Sequence, residues 1–134
     1  MRVLIDTNIL ISAILGHGTP FLAYQKAVSF PHTALICEQN IHELRRIFQR
    51  KFPHKTAVME NFLSIALLSL ECVPIPDTLI PEEEKIRDVA DRSILRAAIA
   101  AKADILLTGD KDFLEAEVEV TMPRILSAAE FLCL

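Results

Sequence analysis

At 134 residues the chain has the length of one domain, residues 1–134, and can bury a substantial core without disulfides or a structural metal. Apolar residues make up 51% and the mean hydropathy is +0.34, yet no apolar run nears the ~18 residues of a membrane span, because Ser12, Ser64 and Ser69 interrupt the longest ones. A formal charge of −4 argues against a general polyanion binder, unless several acids are gathered around cations and leave the remaining surface near neutral.

Val3-Leu4-Ile5 reads as a strand buried on both faces, as the centre of a parallel sheet requires, and Asp6 stands at its carboxyl end ahead of the helical run 9–15. Open α/β sheets place their ligand sites at that end. Gly16-His17-Gly18-Thr19-Pro20 reads as a turn, with Thr19 as the N-cap and Pro20 as the first position of a helix to about residue 30, stopped by Pro31. A strand over 34–37, a helix over 39–50 and a long apolar helix over 56–70 follow, then a strand at 72–73 closed by Pro74 and Pro76. Residues 76–85, with Glu82-Glu83-Glu84, read as an exposed loop. Asp88 or its neighbour opens a helix to about residue 102, and a fourth strand over 104–108 runs into Gly109-Asp110-Lys111-Asp112-Phe113. A short helix, a strand over 118–121 and a helix over 123–132 complete the chain. The alternation predicts an α/β fold with helices on both faces of a parallel sheet, without repeat or linker.

Four acids stand at positions that need explaining. Asp6 and Asp110 each follow a strand's carboxyl end, where a helix cap or an ordinary turn would also use an Asp. Glu43 lies at the edge of the arc that Ile41, Leu44, Ile47 and Phe48 bury, and could simply pair with Arg46. Asp91 falls in the middle of the inward stripe with Leu95 and Ala98, so it needs a buried partner. If the first and fourth strands are neighbours, Asp6 and Asp110 meet, and the helices bring in Glu43 and Asp91. Carboxylates within ~5 Å repel by roughly 1–3 kcal/mol per pair even at high effective dielectric, which a hard divalent cation relieves. Oxygen donors without His or Cys suit Mg²⁺ or Mn²⁺, and such a cluster can activate water for in-line displacement at phosphorus.

Leu4-Ile5-Asp6-Thr7-Asn8, the Glu43-Leu44 pair, Asp91-Arg92-Ser93-Ile94-Leu95 with its Ala-rich continuation, and Leu107-Thr108-Gly109-Asp110-Lys111-Asp112-Phe113 together resemble a PIN-domain ribonuclease, of the kind found as toxins in prokaryotic toxin–antitoxin pairs. The resemblance spans essentially the whole chain. It implies a three-layer α/β/α sandwich with a central parallel sheet, Mg²⁺- or Mn²⁺-dependent cleavage of RNA, and an antitoxin partner. By position it makes Asp6, Glu43, Asp91 and Asp110 the metal-binding and catalytic acids, with Asp112 as a fifth ligand, and it sets Asn8 and Thr108 to orient the acids or a metal-bound water. Members of similar length often carry further acids just before the one matching Asp91; here Val89-Ala90 intervene after Asp88, which is expected to support the ligands rather than join them.

For the substrate, the basic segment His42, Arg45, Arg46, Arg50, Lys51, His54 and Lys55, with Arg92 and Arg96 near Asp91, is placed to follow an RNA backbone, or is only a solvated helix face. The apolar excess of 58–70 fits either a homodimer surface or a helix buried on two sides, and the second reading is preferred. Cys37, Cys72 and Cys133, widely spaced and without a Cys-x-x-Cys, read as reduced thiols of a cytoplasmic protein, and no signal-peptide pattern is visible. Two rivals stand beside the nuclease. A haloacid-dehalogenase-type phosphatase would use Asp6 as nucleophile, but Asn8 occupies the place of its acid/base and cannot transfer a proton. The other is a catalytically silent module of the same fold that binds RNA or protein.

Overall fold

The computed structural model describes residues 1–16, 18–116 and 120–134. Five short strands run parallel in one sheet: β1 (Arg2–Ile5), β2 (Thr33–Cys37), β3 (Leu70–Val73), β4 (Ile105–Leu107) and β5 (Arg124–Leu126), in the spatial order β3-β2-β1-β4-β5. The apolar run at the chain's start is therefore the central strand, with Leu4 in register with Leu35 on one side and Leu106 on the other. Val3, Leu4 and Ile5 are fully buried, each removing about 1.5–3 kcal/mol worth of apolar surface from water.

Alternate residues of the strands feed two cores. Val3, Ile5, Ala34, Ile36 and Leu107 pack under α1 (Thr7–Leu15), α2 (Thr19–Ala27), α3 (Glu38–Lys51), α4 (Thr56–Ala66) and α7 (Ala128–Leu132). Leu4, Leu35, Cys37 and Leu106 face α5 (Val89–Ala100) and Phe113 of α6 (Lys111–Leu114). The result is the expected three-layer α/β/α arrangement. No helix of the described residues is long and apolar enough to cross a membrane.

Several element boundaries differ from the sequence expectation. Thr19 lies inside α2, whose N-cap is Gly18 at φ 128°, and the helix stops at Ala27, where the Ser29 hydroxyl turns back to the Gln25 carbonyl at 2.6 Å. His17, within the expected turn, lies outside the described residues. The apolar stretch 56–70 divides, because Leu70 is taken by the sheet opposite Ala34 and only Thr56–Ala66 remains helical. Nor is α4 buried on two sides: Met59, Leu63 and Ala66 face the core, whereas Val58 and Ile65 are exposed, since α4 packs in the outer layer on α3 and α1. Residues 76–85 are not simply an exposed loop. They include a 3-10 helix, Pro81–Lys85, whose Glu83 is 4% exposed.

Of the expected strand over 118–121, residues 118 and 119 lie outside the described residues, and Val120 and Thr121 are not in a strand. The fifth strand is instead Arg124–Leu126, and the last helix starts only at Ala128. Its N-terminus is marked by a reciprocal capping box in which Glu130 N–H donates to Ser127 Oγ and Ser127 N–H to Glu130 Oε1. Pro123 leads into an edge strand, a place that tolerates proline, rather than opening a helix.

Candidate metal centre

The chain's strand order reverses at β1: β2 and β3 lie to one side, β4 and β5 to the other. That topological switch point is where parallel α/β sheets open a crevice at their carboxyl ends. Asp6 and the 108–110 segment emerge there side by side, with Asp6 N–H donating to Leu107 O at 2.9 Å.

Asp6, Asp91 and Asp110 each present a carboxylate oxygen within 4.8 Å of the other two. All three reach this point through local helix-start geometry. Asp6 is the N-cap of α1 and accepts from Thr7 N–H, Asp110 is the N-cap of α6 and accepts from Asp112 N–H, and Asp91 sits in the first turn of α5, itself capped by Asp88. Capping and convergence are thus one feature here, because extended caps aim their carboxylates out of the strand ends.

The local electrostatics are those of uncompensated charge. Burial pushes the Asp6 carboxyl up to about 6, opposed by hydrogen bonds from Thr108 and Thr7 and aided by the charges of Glu43 and Asp110. Asp91 is pushed up to about 8, first by burial, then by the charge of Asp6 and by its contact with Asp110. The charged groups that shift both most are all acids. Asp91 Oδ2 is buried without a hydrogen-bond partner among the described residues, an arrangement that costs a few kcal/mol unless something satisfies it. An all-oxygen donor set with an orphaned carboxylate oxygen fits a hard divalent cation and not zinc.

Glu43 stands beside the trio rather than in it. Its Oε2 accepts from Thr7 Oγ1 at 3.4 Å, and its pKa is raised by burial and by Asp88 and Asp110, against the pull of Arg46. Asp112 lies outside the trio: its Oδ1 accepts from Arg87 Nη2 at 2.8 Å. Asp88 is exposed, with Oδ1 on Ala90 N–H.

Two polar residues expected around the acids bind them to the fold. Thr108, fully buried, donates to Asp6 Oδ2 at 2.7 Å and accepts from Asp110 N–H at 3.0 Å, so a single hydroxyl holds two of the three acids in register. Asn8 Oδ1 accepts from Gly109 N–H at 3.0 Å and steadies the same turn. Two others escaped the sequence reading. Asn40, fully buried, donates from Nδ2 to Thr7 Oγ1 at 3.0 Å and to Asp6 Oδ1 at 3.5 Å, while its Oδ1 accepts from Cys37 N–H and Cys37 Sγ. Thr7 relays that network to Glu43. The signal for Asn40 was present: it shares the buried stripe of α3 with Leu44 and Phe48, at i+4 and i+8.

Of the basic residues, Arg46 and Arg50 project from the exposed face of α3 that leads away from Glu43, whereas Arg45 is paired with Glu60 at 2.9 Å. Arg92 and Arg96 are committed to structure: Arg92 Nε donates to Ile86 O at 2.6 Å, and Arg96 makes an ion pair of 2.8 Å with Glu83 and donates to Pro76 O.

The family model for the PIN domain matches residues 2–112. The fold is similar to the VapBC2 assembly of Rickettsia felis bound to a DNA fragment from its promoter (TM-score 0.70, 20% identity, 95% of this chain and 98% of that one). A toxin–antitoxin complex from Klebsiella pneumoniae also aligns (TM-score 0.64, 18% identity, 94% and 97%). So does VapC20 of Mycobacterium tuberculosis, described as a sarcin–ricin loop cleaving toxin (TM-score 0.61, 15% identity, 87% and 95%). No curated protein sequence matches significantly.

Proposed function

The chain belongs to the PIN-domain family, and from that premise we propose that it is a divalent-metal-dependent endoribonuclease, the toxin of a toxin–antitoxin pair acting in the cytoplasm. The observation that carries the reading is the trio Asp6, Asp91 and Asp110 within 4.8 Å at the switch point of the sheet. RNA as substrate and an antitoxin as partner are supported by likeness in fold to proteins described as a toxin–antitoxin complex and a sarcin–ricin loop cleaving toxin.

Asp6, Asp91 and Asp110, with Glu43 alongside, would hold Mg²⁺ or Mn²⁺, which when bound neutralises the clustered charge and promotes attack of water on a phosphodiester. The chain's own groups supply the rest. Thr108 and Asn8 keep Asp6 and Asp110 aimed at one point, so little reorganisation is needed when charge develops there. Asn40 and Thr7 fix Glu43 relative to Asp6. Glu43, half-buried with its pKa raised, has a carboxylate suited to accept a proton at Oε1, the oxygen not engaged by Thr7, as water adds to phosphorus and one ester P–O bond breaks, the leaving oxygen taking its proton from solvent. Arg46 and Arg50 extend a basic track for the strand beyond the acids.

The test is a thermal melt in EDTA and again with millimolar Mg²⁺ or Mn²⁺, for the parent and Asp91→Asn, with a fluorescent RNA cleavage assay on the same samples. A parent Tm that rises by several degrees with metal, a rise lost in Asp91→Asn, and cation-dependent cleavage by the parent alone are expected; a ligand at a hundred times its Kd stabilises by about 2.7 kcal/mol. RNA binding without metal shift or cleavage would establish the silent module instead.

A further inference from the structure

Beside the acid trio, a cavity of about 220 Å³ opens between the segment that precedes α5 and the start of α6, lined by Lys85, Arg87, Lys111, Asp112, Glu115 and Ala116. Its wall touches the metal centre directly, because Asp112 N–H donates to Asp110 Oδ1 at 2.8 Å. Arg87 precedes the Asp88 cap of α5, and its side chain is 87% exposed apart from the 2.8 Å ion pair with Asp112.

The segment that carries Lys85 and Arg87, the other wall, is anchored from behind. Glu83 and Arg96 form an ion pair with side chains only 5% and 11% exposed, and Arg96 also donates to Pro76 O. Arg92 Nε holds Ile86 O at 2.6 Å, immediately before Arg87. Two arginines of α5 thus clamp the segment so that Arg87 is presented at a set place beside the acids. An arginine fork with a lysine across a small cavity is suited to a phosphate group, which takes up the guanidinium through paired hydrogen bonds. In the free protein one carboxylate oxygen, Asp112 Oδ1, already accepts from Arg87 Nη2 at 2.8 Å, the distance a phosphate oxygen would take.

We propose that this cavity is a phosphate subsite for the RNA strand, in which Arg87 and Lys111 hold a backbone phosphate next to the one being cut, and in which Asp112 is an internal stand-in for that phosphate rather than a metal ligand. The proposal rests on the ribonuclease reading for its substrate. Exposed ion pairs are worth little, so a phosphate displaces Asp112 from Arg87 easily, and Asp112 discourages occupancy by weaker anions. Asp112 is outside the 4.8 Å trio and engaged with Arg87.

The experiment measures binding of a fluorescent single-stranded RNA by anisotropy in EDTA across a salt series, so that chemistry is silent, for the parent, Arg87→Ala/Lys111→Ala and Asp112→Asn. The double variant should bind about tenfold more weakly, with a salt dependence reduced by about 0.7 in log–log slope for each phosphate that the variant leaves unneutralised. Asp112→Asn should bind about threefold more tightly and keep the metal-induced rise in Tm. Unchanged affinity and slope in the double variant, with a parent that cuts RNA, would overturn the subsite and leave the nuclease standing. Loss of the metal-induced Tm rise in Asp112→Asn would also overturn it, by making Asp112 a ligand. A parent that neither binds nor cuts RNA would overturn the nuclease reading, and the subsite with it.

Discussion

Asp91 shows how a single residue can oppose folding at the place where acids converge. Its carboxyl is raised from 3.8 to about 8 in the folded chain, so across that window the unfolded chain is ionised while the folded one still holds the proton. The unfolded state binds fewer protons there, and the stability of the metal-free protein falls as pH rises from about 4 to 8. Asp91→Asn removes that loss. In EDTA it should be near neutral at pH 4 and stabilising by about 1–3 kcal/mol at pH 8, read by urea denaturation at both values; a gain independent of pH would mean that charge is not the cause. Thr108 is the opposite case, a residue whose hydroxyl serves fold and site together. Thr108→Val leaves Asp6 Oδ2 and Asp110 N–H without their buried partner and should cost about 1–3 kcal/mol and weaken the metal-induced Tm shift, whereas Thr108→Ser should keep most of both. Asp91 was legible in the sequence because a charge on a core-facing stripe demands a partner. Asn40 obeys the same rule on α3, but an amide near a helix start reads as ordinary capping, and its true partners, Thr7 and Asp6, lie more than thirty residues away.

The element that sequence reasoning misjudged most is the segment before α5. In Glu82-Glu83-Glu84 nothing local distinguishes the buried glutamate from its exposed or half-buried neighbours; Arg96, on another element, selects Glu83. Removing one member of such a buried pair strands the other charge, so Arg96→Met should destabilise by about 3–5 kcal/mol, while Glu83→Met/Arg96→Met should recover much of that loss in a urea double-mutant cycle. Additive losses in the cycle would show that the two do not act as a pair. α3 was legible because its stripe of Leu44 and Phe48 repeats at helical spacing. The division of 56–70 into α4 and β3 was not, since Leu70 belongs to the strand only by virtue of its pairing with Ala34 on β2.

At the scale of the whole molecule, periodicity and punctuation alone determined the class: a central apolar strand, alternating helices, a parallel sheet covered on both faces, and a set of acids at strand ends and on inward helical stripes. These are local properties, written within windows of a few residues to a few turns. Strand order is not local. Leu4 pairs with Leu35 and with Leu106 through hydrogen bonds that any parallel neighbour could supply, and the packing of both sheet faces together selects β4 as the second neighbour of β1. That adjacency decided which acids meet. It gathers Asp6, Asp91 and Asp110 within 4.8 Å, leaves Glu43 beside them, and turns Asp112 towards Arg87. Residue types and spacing named the candidates, but only the tertiary structure sets the distances between side chains as far apart in the chain as Asp6 and Asp110, because those distances depend on how the layers pack and not on any one stretch of chain.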